Sequence, residues 1–289
     1  LKKENKMAFF KLKKNVELAA DKILGGKLLK MIAPVPDLEK CRRALFIGPH
    51  PDDIEIGAGG TLHKFVKAGK AVKMLICTDG GAGSTDATLT CEKIAQMRWE
   101  EAQNAAKVHG VTDIENLGYP DGGVYDMDEL AAKIAKVIYD FAPDLVLCPD
   151  PHLPTETHPD HIKCAQAAVT AVTIASNYYS GQRHGLVFEP EKIIPMRKIA
   201  YYYTHRANVF VALSEEDVAA RLNSLKCHKS QMSGALAEGL AVYLSVRDKY
   251  MAQQVTGEAD EKKAMVKAAE GFFAMAPLHQ HCVSEVNDW

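Results

Sequence analysis

The sequence lacks a disulfide framework, a membrane-spanning run and a dominant charge. Its 289 residues hold seven cysteines, an odd number with no C-x-x-C pair. That usage reads as reduced thiols in a reducing, cytoplasmic compartment, with Cys77 and Cys148 acting as small hydrophobes inside apolar runs. No apolar run reaches the roughly 18 residues of a spanning helix, which disfavours a membrane-resident enzyme. The first 30 residues have no long apolar segment of the signal-peptide kind. A formal net charge of −2 excludes the large basic excess that phosphate-backbone binding requires. Neither an internal repeat nor an interdomain linker is visible.

What is present is an ordinary globular composition, 47% hydrophobic and 25% charged. A chain of this length buries roughly 75% of its unfolded surface and needs no covalent staples. The charge is unevenly spread: residues 1–30 carry nine Lys and three acids, a net +6, and the remainder carries −8. We expect a basic N-terminal arm over 1–40, either solvated or amphipathic, with peripheral membrane or partner contact as the alternative. The sequence opens on Leu1, so a trimmed start stays open. Residues 41–289 are expected to form one α/β domain. Eleven histidines are more than such a composition explains.

From residue 43 the pattern alternates. Short apolar runs at 44–48, 72–77, 114–117 and 144–148 read as strands, and 57–68, 92–109, 128–141 and 159–176 read as helices. This order predicts a Rossmann-like three-layer α/β sandwich with a mainly parallel central sheet. Beyond residue 190, further strands are expected at 198–203 and 209–212, with helices at 214–226, 239–252 and 261–270. Residues 177–195 read as a long loop.

Ligands of open parallel sheets sit beyond the carboxyl ends of the strands. Three unusual stretches follow three expected strands: Pro49-His50-Pro51-Asp52-Asp53, Thr78-Asp79-Gly80-Gly81, and 149–161 with Thr157-His158-Pro159-Asp160-His161. His50 and Asp53 are spaced i, i+3, as are His158 and His161, so each pair shares one face of a helical turn. Two facing pairs supply His, Asp and His, the donor set of a catalytic zinc site with an open position. Taken singly, His-Pro-Asp also fits a turn in which Asp52 caps a helix. Gly57-Ala58-Gly59-Gly60 makes a poor dinucleotide fingerprint, and close helix–strand packing is its simpler reading. A nucleotide-cofactor oxidoreductase and a non-catalytic metal-binding module remain as alternatives.

These residues resemble the PIG-L/LmbE-like zinc-dependent N-deacetylases. The likeness runs over Pro49-His50-Pro51-Asp52-Asp53, residues 57–61 and His158-Pro159-Asp160-His161, and extends over roughly 43–281. Tyr202-Tyr203-Thr204-His205 and His228-Lys229-Ser230-Gln231 are similar to the diacetylchitobiose deacetylase branch. The resemblance implies Zn2+ held by His50, Asp53 and His161. It implies Asp52 as general base toward a zinc-activated water, and His158, in its charged form, steadying the oxyanion or protonating the leaving amine. It further implies Arg98, Asp121 and His281 as substrate-binding residues. The implied substrate is an N-acetylglucosamine-containing small molecule, chitobiose or a conjugate with malate, inositol or a glycolipid. A homo-oligomer is expected on the same ground. Ile54 departs from the acid that much of the family places there, which opens the question of exact substrate. Asp160 reads either as a first-turn helix acid or as a partner orienting a histidine. Arg98 reads equally as an ion-pair partner of Glu101 or Glu92.

Overall fold

The structure, a computed structural model, describes residues 31, 34–195, 197–257 and 265–280. The chain divides into two units: Asp37–Ala274, and Leu1–Pro36 together with Met275–Trp289. Of the second unit few positions are described, among them the 3-10 turn Pro277–Gln280. Residues 1–30 of the expected basic arm, and His281, lie outside the described residues.

The first unit alternates strand and helix as the hydrophobic pattern requires. β1 (Arg43–Gly48), β2 (Ala71–Thr78), β3 (Asp113–Tyr119) and β4 (Leu145–Pro149) are separated by α1 (Asp53–Lys67), α2 (Cys91–His109) and α3 (Met127–Phe141). Then follow α4 (Pro159–Ala175), α5 (Tyr178–Arg183), β5 (Lys198–Tyr202), β6 (Val209–Leu213), α6 (Glu215–Leu225), α7 (Gly234–Thr256) and β7 (Ala268–Met275). The strands form one sheet in the order β3-β2-β1-β4-β5-β7-β6. β3, β2, β1, β4 and β5 are mutually parallel, and β6 runs antiparallel to β7. Right-handed crossovers place α1 and α2 on one face and α3 and α4 on the other. The observed packing agrees: α3 lies on α4, and α1 and α2 on α6.

Strand order reverses between β1 and β4, and a sheet of this kind opens a crevice at that reversal. The core beneath it is apolar and closed, with Ala44, Phe46, Leu62, Phe65, Leu145 and Leu147 buried. Gly57 shows why α1 is glycine-rich: a Cβ there would lie 2.3 Å from the Tyr202 ring. The run is used for packing. The six described cysteines are free, and no described helix is long and apolar enough to cross a membrane.

Three expectations need correction. The loop expected at 177–195 contains α5, capped by Asn177, and a 3-10 turn at Pro190–Lys192. The helix expected at 261–270 is, in its described part, the beginning of β7. The last long helix runs further at both ends, over Gly234–Thr256.

Candidate active site and metal centre

Four strand ends meet at the crevice. The turn after β1 is tied down by Thr78, whose backbone N–H and hydroxyl both donate to the Pro49 carbonyl at 2.9 Å. It carries His50, Asp52 and Asp53 to the start of α1. Asp52 makes no side-chain cap bond and has φ 125°, so the capping alternative falls. After β4, Pro159 takes the first turn of α4, where its missing N–H costs nothing. His158 is the cap itself: its Nδ1 accepts the Asp160 N–H at 3.2 Å. Since Nδ1 is an acceptor, the proton of the neutral ring sits on Nε2.

The two motifs converge on Asp53. Its Oδ2 lies 3.2 Å from His50 Nδ1 and 3.3 Å from His161 Nε2. The ring centroids of His50, His158 and His161 are 4.7 to 5.2 Å apart. The outer ring nitrogens are also engaged. His50 Nε2 faces Asp121 Oδ1 at 3.0 Å and Asp160 Oδ2 at 3.3 Å, and His161 Nδ1 faces Glu156 Oε2 at 3.0 Å. Asp160 is therefore more than a first-turn acid: it also accepts from the Gly122 N–H and the Tyr125 hydroxyl, each at 2.7 Å.

Arg98 reaches the same place from α2. Its guanidinium donates to the Pro51 carbonyl at 2.8 Å and the Gly80 carbonyl at 3.2 Å, and stands 3.4 Å from Asp52 and 3.7 Å from Asp121. Those contacts displace the Glu92 or Glu101 pairing. Gly83 leaves it room, since a Cβ there would sit 2.4 Å from Arg98 Nη1.

Burial and charge then set the titration. Burial and the charge of Asp53 push Asp52 up to about 7 against the pull of Arg98. Burial would raise Asp53 too, but His161 and His50 hold it well below the usual carboxylate range. Burial would lower His50, yet Asp121, Asp160 and Asp53 override it and push it up to about 12. His158 is lowered by burial and by the neighbouring His50 and His161, so the charged ring expected from the chemistry is not its resting form.

The crevice gathers His and Asp donors that can hold a metal ion. Tetrahedral N/O ligands at about 2.0–2.2 Å from an ion stand about 3.3 Å from one another. The two separations around Asp53 Oδ2 match that edge. The outer nitrogens already carry the carboxylate partners that orient metal-bound imidazoles. Among the described residues two His/Asp groups meet the geometric requirement for an ion, His50 with His158 and His161, and His50 with Asp121, His158 and Asp160; both share His50 and His158, and Asp53 belongs to neither.

Two contributors escaped the sequence reading. Glu156 lies in the loop before α4 with no spacing signature. Tyr203, given no site role by the sequence, donates its hydroxyl to the Asp53 carbonyl and to Oδ1, both at 3.1 Å. It does so from the left-handed region at φ 55°, unusual for an aromatic residue. His205 lines a cavity beside His161, and His152 lies in the turn held by Asp150.

Comparisons with known proteins place the chain in a family. The PIG-L family profile, described as GlcNAc-PI de-N-acetylase, matches residues 45–172. A diacetylchitobiose deacetylase of Thermococcus kodakarensis is 34% identical over 221 residues, 75% of this chain and 79% of the relative. A 1D-myo-inositol 2-acetamido-2-deoxy-alpha-D-glucopyranoside deacetylase of Kineococcus radiotolerans is 30% identical over 176 residues, with 50% of this chain and 48% of the relative covered. Among solved structures, the N,N'-diacetylchitobiose deacetylase of Pyrococcus horikoshii with its inhibitor MPG superposes with a TM-score of 0.77 at 28% identity. That match covers 91% of this chain and 95% of the other. With the paired motifs at the strand reversal and this breadth of likeness, the chain belongs to the PIG-L family and is an amidohydrolase acting on N-acetyl groups.

Proposed function

We propose that this protein is a zinc-dependent deacetylase that removes the N-acetyl group from an N-acetylglucosamine-containing small molecule of the diacetylchitobiose kind. One observation carries the reading: Asp53 Oδ2 bridges His50 Nδ1 and His161 Nε2, with Asp52 adjoining and the His158 ring edge-on to His50 and tilted against His161. His50, Asp53 and His161 hold the metal. When bound, zinc supplies Lewis acidity that polarises the amide carbonyl and lowers the pKa of a water toward about 7.

The protein's own groups do the rest. Asp52, held near neutrality, takes a proton from the attacking water as its oxygen bonds to the carbonyl carbon. His158 directs its Nε2–H at the developing oxyanion, as a neutral donor. Asp52 passes that proton to the nitrogen as the C–N bond breaks, which leaves acetate and a free amine. Arg98 holds Asp52 through the Pro51 carbonyl and, with Asp121 and His281, contacts the sugar. A homo-oligomer, a cytoplasmic location and a 41–289 domain with a separate basic arm complete the proposal.

The inositol-conjugate relatives favour a second reading, in which the sugar carries a polyol aglycone. Metal analysis followed by acetate release from N-acetylglucosamine, diacetylchitobiose, its malate conjugate and its inositol conjugate tests both. Zinc at one equivalent with turnover of diacetylchitobiose is expected. Release from none of the four would sink the proposal, and release from the inositol conjugate alone would select the second reading.

A further inference from the structure

A cavity of about 450 Å³ opens directly on the metal centre and none of the roles above uses it. It meets the centre through His161, Glu156 and Tyr203, and touches neither Arg98, Asp52 nor Asp121. Its far wall is α7, which contributes Tyr243, Arg247 and Met251. Thr204 lines it too, its hydroxyl donating to Asp150 at 2.6 Å and accepting the Arg206 N–H at 3.2 Å, so Glu156 is the cavity's main acceptor.

We infer that this cavity is a subsite for a second, uncharged sugar ring joined to the residue that is deacetylated. The inference rests on the proposed deacetylase reading and names the substrate more closely. Size comes first: the space is of the order of one or two pyranose rings, far more than an acetyl methyl needs. Chemistry comes next. Tyr243 is 58% exposed and has no hydrogen bond among the described residues that would fix its ring, so a flat apolar face is available to the C–H side of a sugar. Arg247 is anchored by its bond to the Ile56 carbonyl at 3.2 Å and stands 6.0 Å from the Tyr243 ring centre, which keeps further N–H donors beside that face. Charge decides the class. Glu156 shares the cavity with Arg247, and Asp248 lies 3.8 Å from the guanidinium. The basic charge is thus offset, and an anionic aglycone gains nothing over a neutral one. A hydroxyl-rich neutral ring satisfies donors, acceptors and aromatic face together.

Tyr243→Ala tests this, because the side chain is exposed and its loss leaves the core intact. Arg247→Ala is the second variant. The prediction is a fall of about tenfold or more in kcat/KM for diacetylchitobiose, expressed in KM, with kcat/KM for monomeric N-acetylglucosamine unchanged. Equal losses on both substrates, or none on either, would overturn the subsite. A wild-type preference for the malate conjugate over diacetylchitobiose that disappears in Arg247→Ala would overturn its neutral character. Calorimetric titration of diacetylchitobiose into Asp52→Asn and into Asp52→Asn/Tyr243→Ala separates this inference from the deacetylase reading. Weaker binding by the double variant supports the subsite even where no acetate is released, and equal binding refutes it.

Discussion

Asp52 and Asp53 are neighbours with opposite electrostatic fates, and the contrast fits the roles proposed for them. Asp53 is surrounded by imidazoles and stays ionised, while Asp52 is buried beside that charge and titrates near neutrality. Asp52→Asn should keep its metal and lose about 10²–10⁴ in kcat, the usual worth of a positioned base. Metal content beside acetate release checks it, and a variant that turned over normally would move the base elsewhere. Glu156 acts one step further out, through His161. Glu156→Gln should weaken metal affinity about 10–100-fold in a chelator competition. Legibility divides at this scale. His50, Asp53, His158 and His161 were readable because each motif spaces its pair i, i+3 between a strand and the helix that follows it. Glu156 and Tyr203 were not, because they reach the centre through loop geometry and a left-handed backbone that leave no periodic trace. The 3.0 Å approach of Asp121 to His50 likewise depends on β3 lying two strands away from β1.

Among the elements, α1 shows how the fold holds the turn bearing the ligands. The helix breaks at Ala58, φ −147°, and restarts beyond it. The restart is capped from across the sheet: Glu270 of β7 accepts the Gly60 N–H at 3.0 Å and the Thr61 N–H at 2.7 Å. Arg221 of α6 pairs with Glu270 at 3.0 Å and with Asp248 of α7, all three fully buried. Gly60 is required there, since a Cβ would lie 2.5 Å from Leu213 and 3.1 Å from Glu270. Glu270→Ala would strand two helix N–H groups and leave a buried arginine with one partner fewer. Losing one member of such a cluster costs about 3–5 kcal/mol, which urea unfolding should register as a lower midpoint with an unchanged slope. A shift under about 1 kcal/mol would show that the cap is dispensable. The same residue explains the misread strand. Glu261-Lys262-Lys263-Ala264 and Ala268-Ala269-Glu270 are rich in good helix formers, so local propensity argued for a helix. Pairing of Ala268 to Phe272 with β6 and the buried Glu270 network overrode it. The strands β1, β2 and β4 were legible for the converse reason: burial on both faces makes them continuous apolar runs.

At the scale of the molecule, acid stability is set partly by a histidine remote from the chemistry. His109 ends α2, is 1% exposed, and faces His63 with ring centres 5.8 Å apart. Neither of its ring nitrogens finds a hydrogen-bond partner among the described residues. Burial, with the neighbouring His63 adding to it and Glu55 opposing it, pushes His109 down to about 4. The unfolded chain binds the proton near 6.5, so the folded state is the poorer proton acceptor. Stability from this neutral ring is complete above pH 6.5 and is lost as pH falls toward and through about 4. The loss by pH 4 is on the order of 3 kcal/mol, from a depression of about 2.5 units. Other groups titrate over the same range, the metal-site carboxylates above all, so wild type must be set against His109→Leu. The difference in unfolding free energy between the two should favour wild type less and less between pH 7.5 and 4, by about 3 kcal/mol in total. Urea titrations at half-unit pH steps measure it. Parallel pH profiles would show that His109 takes up its proton in the folded state as easily as in the unfolded chain, and that the buried pair with His63 holds no acid-labile stability.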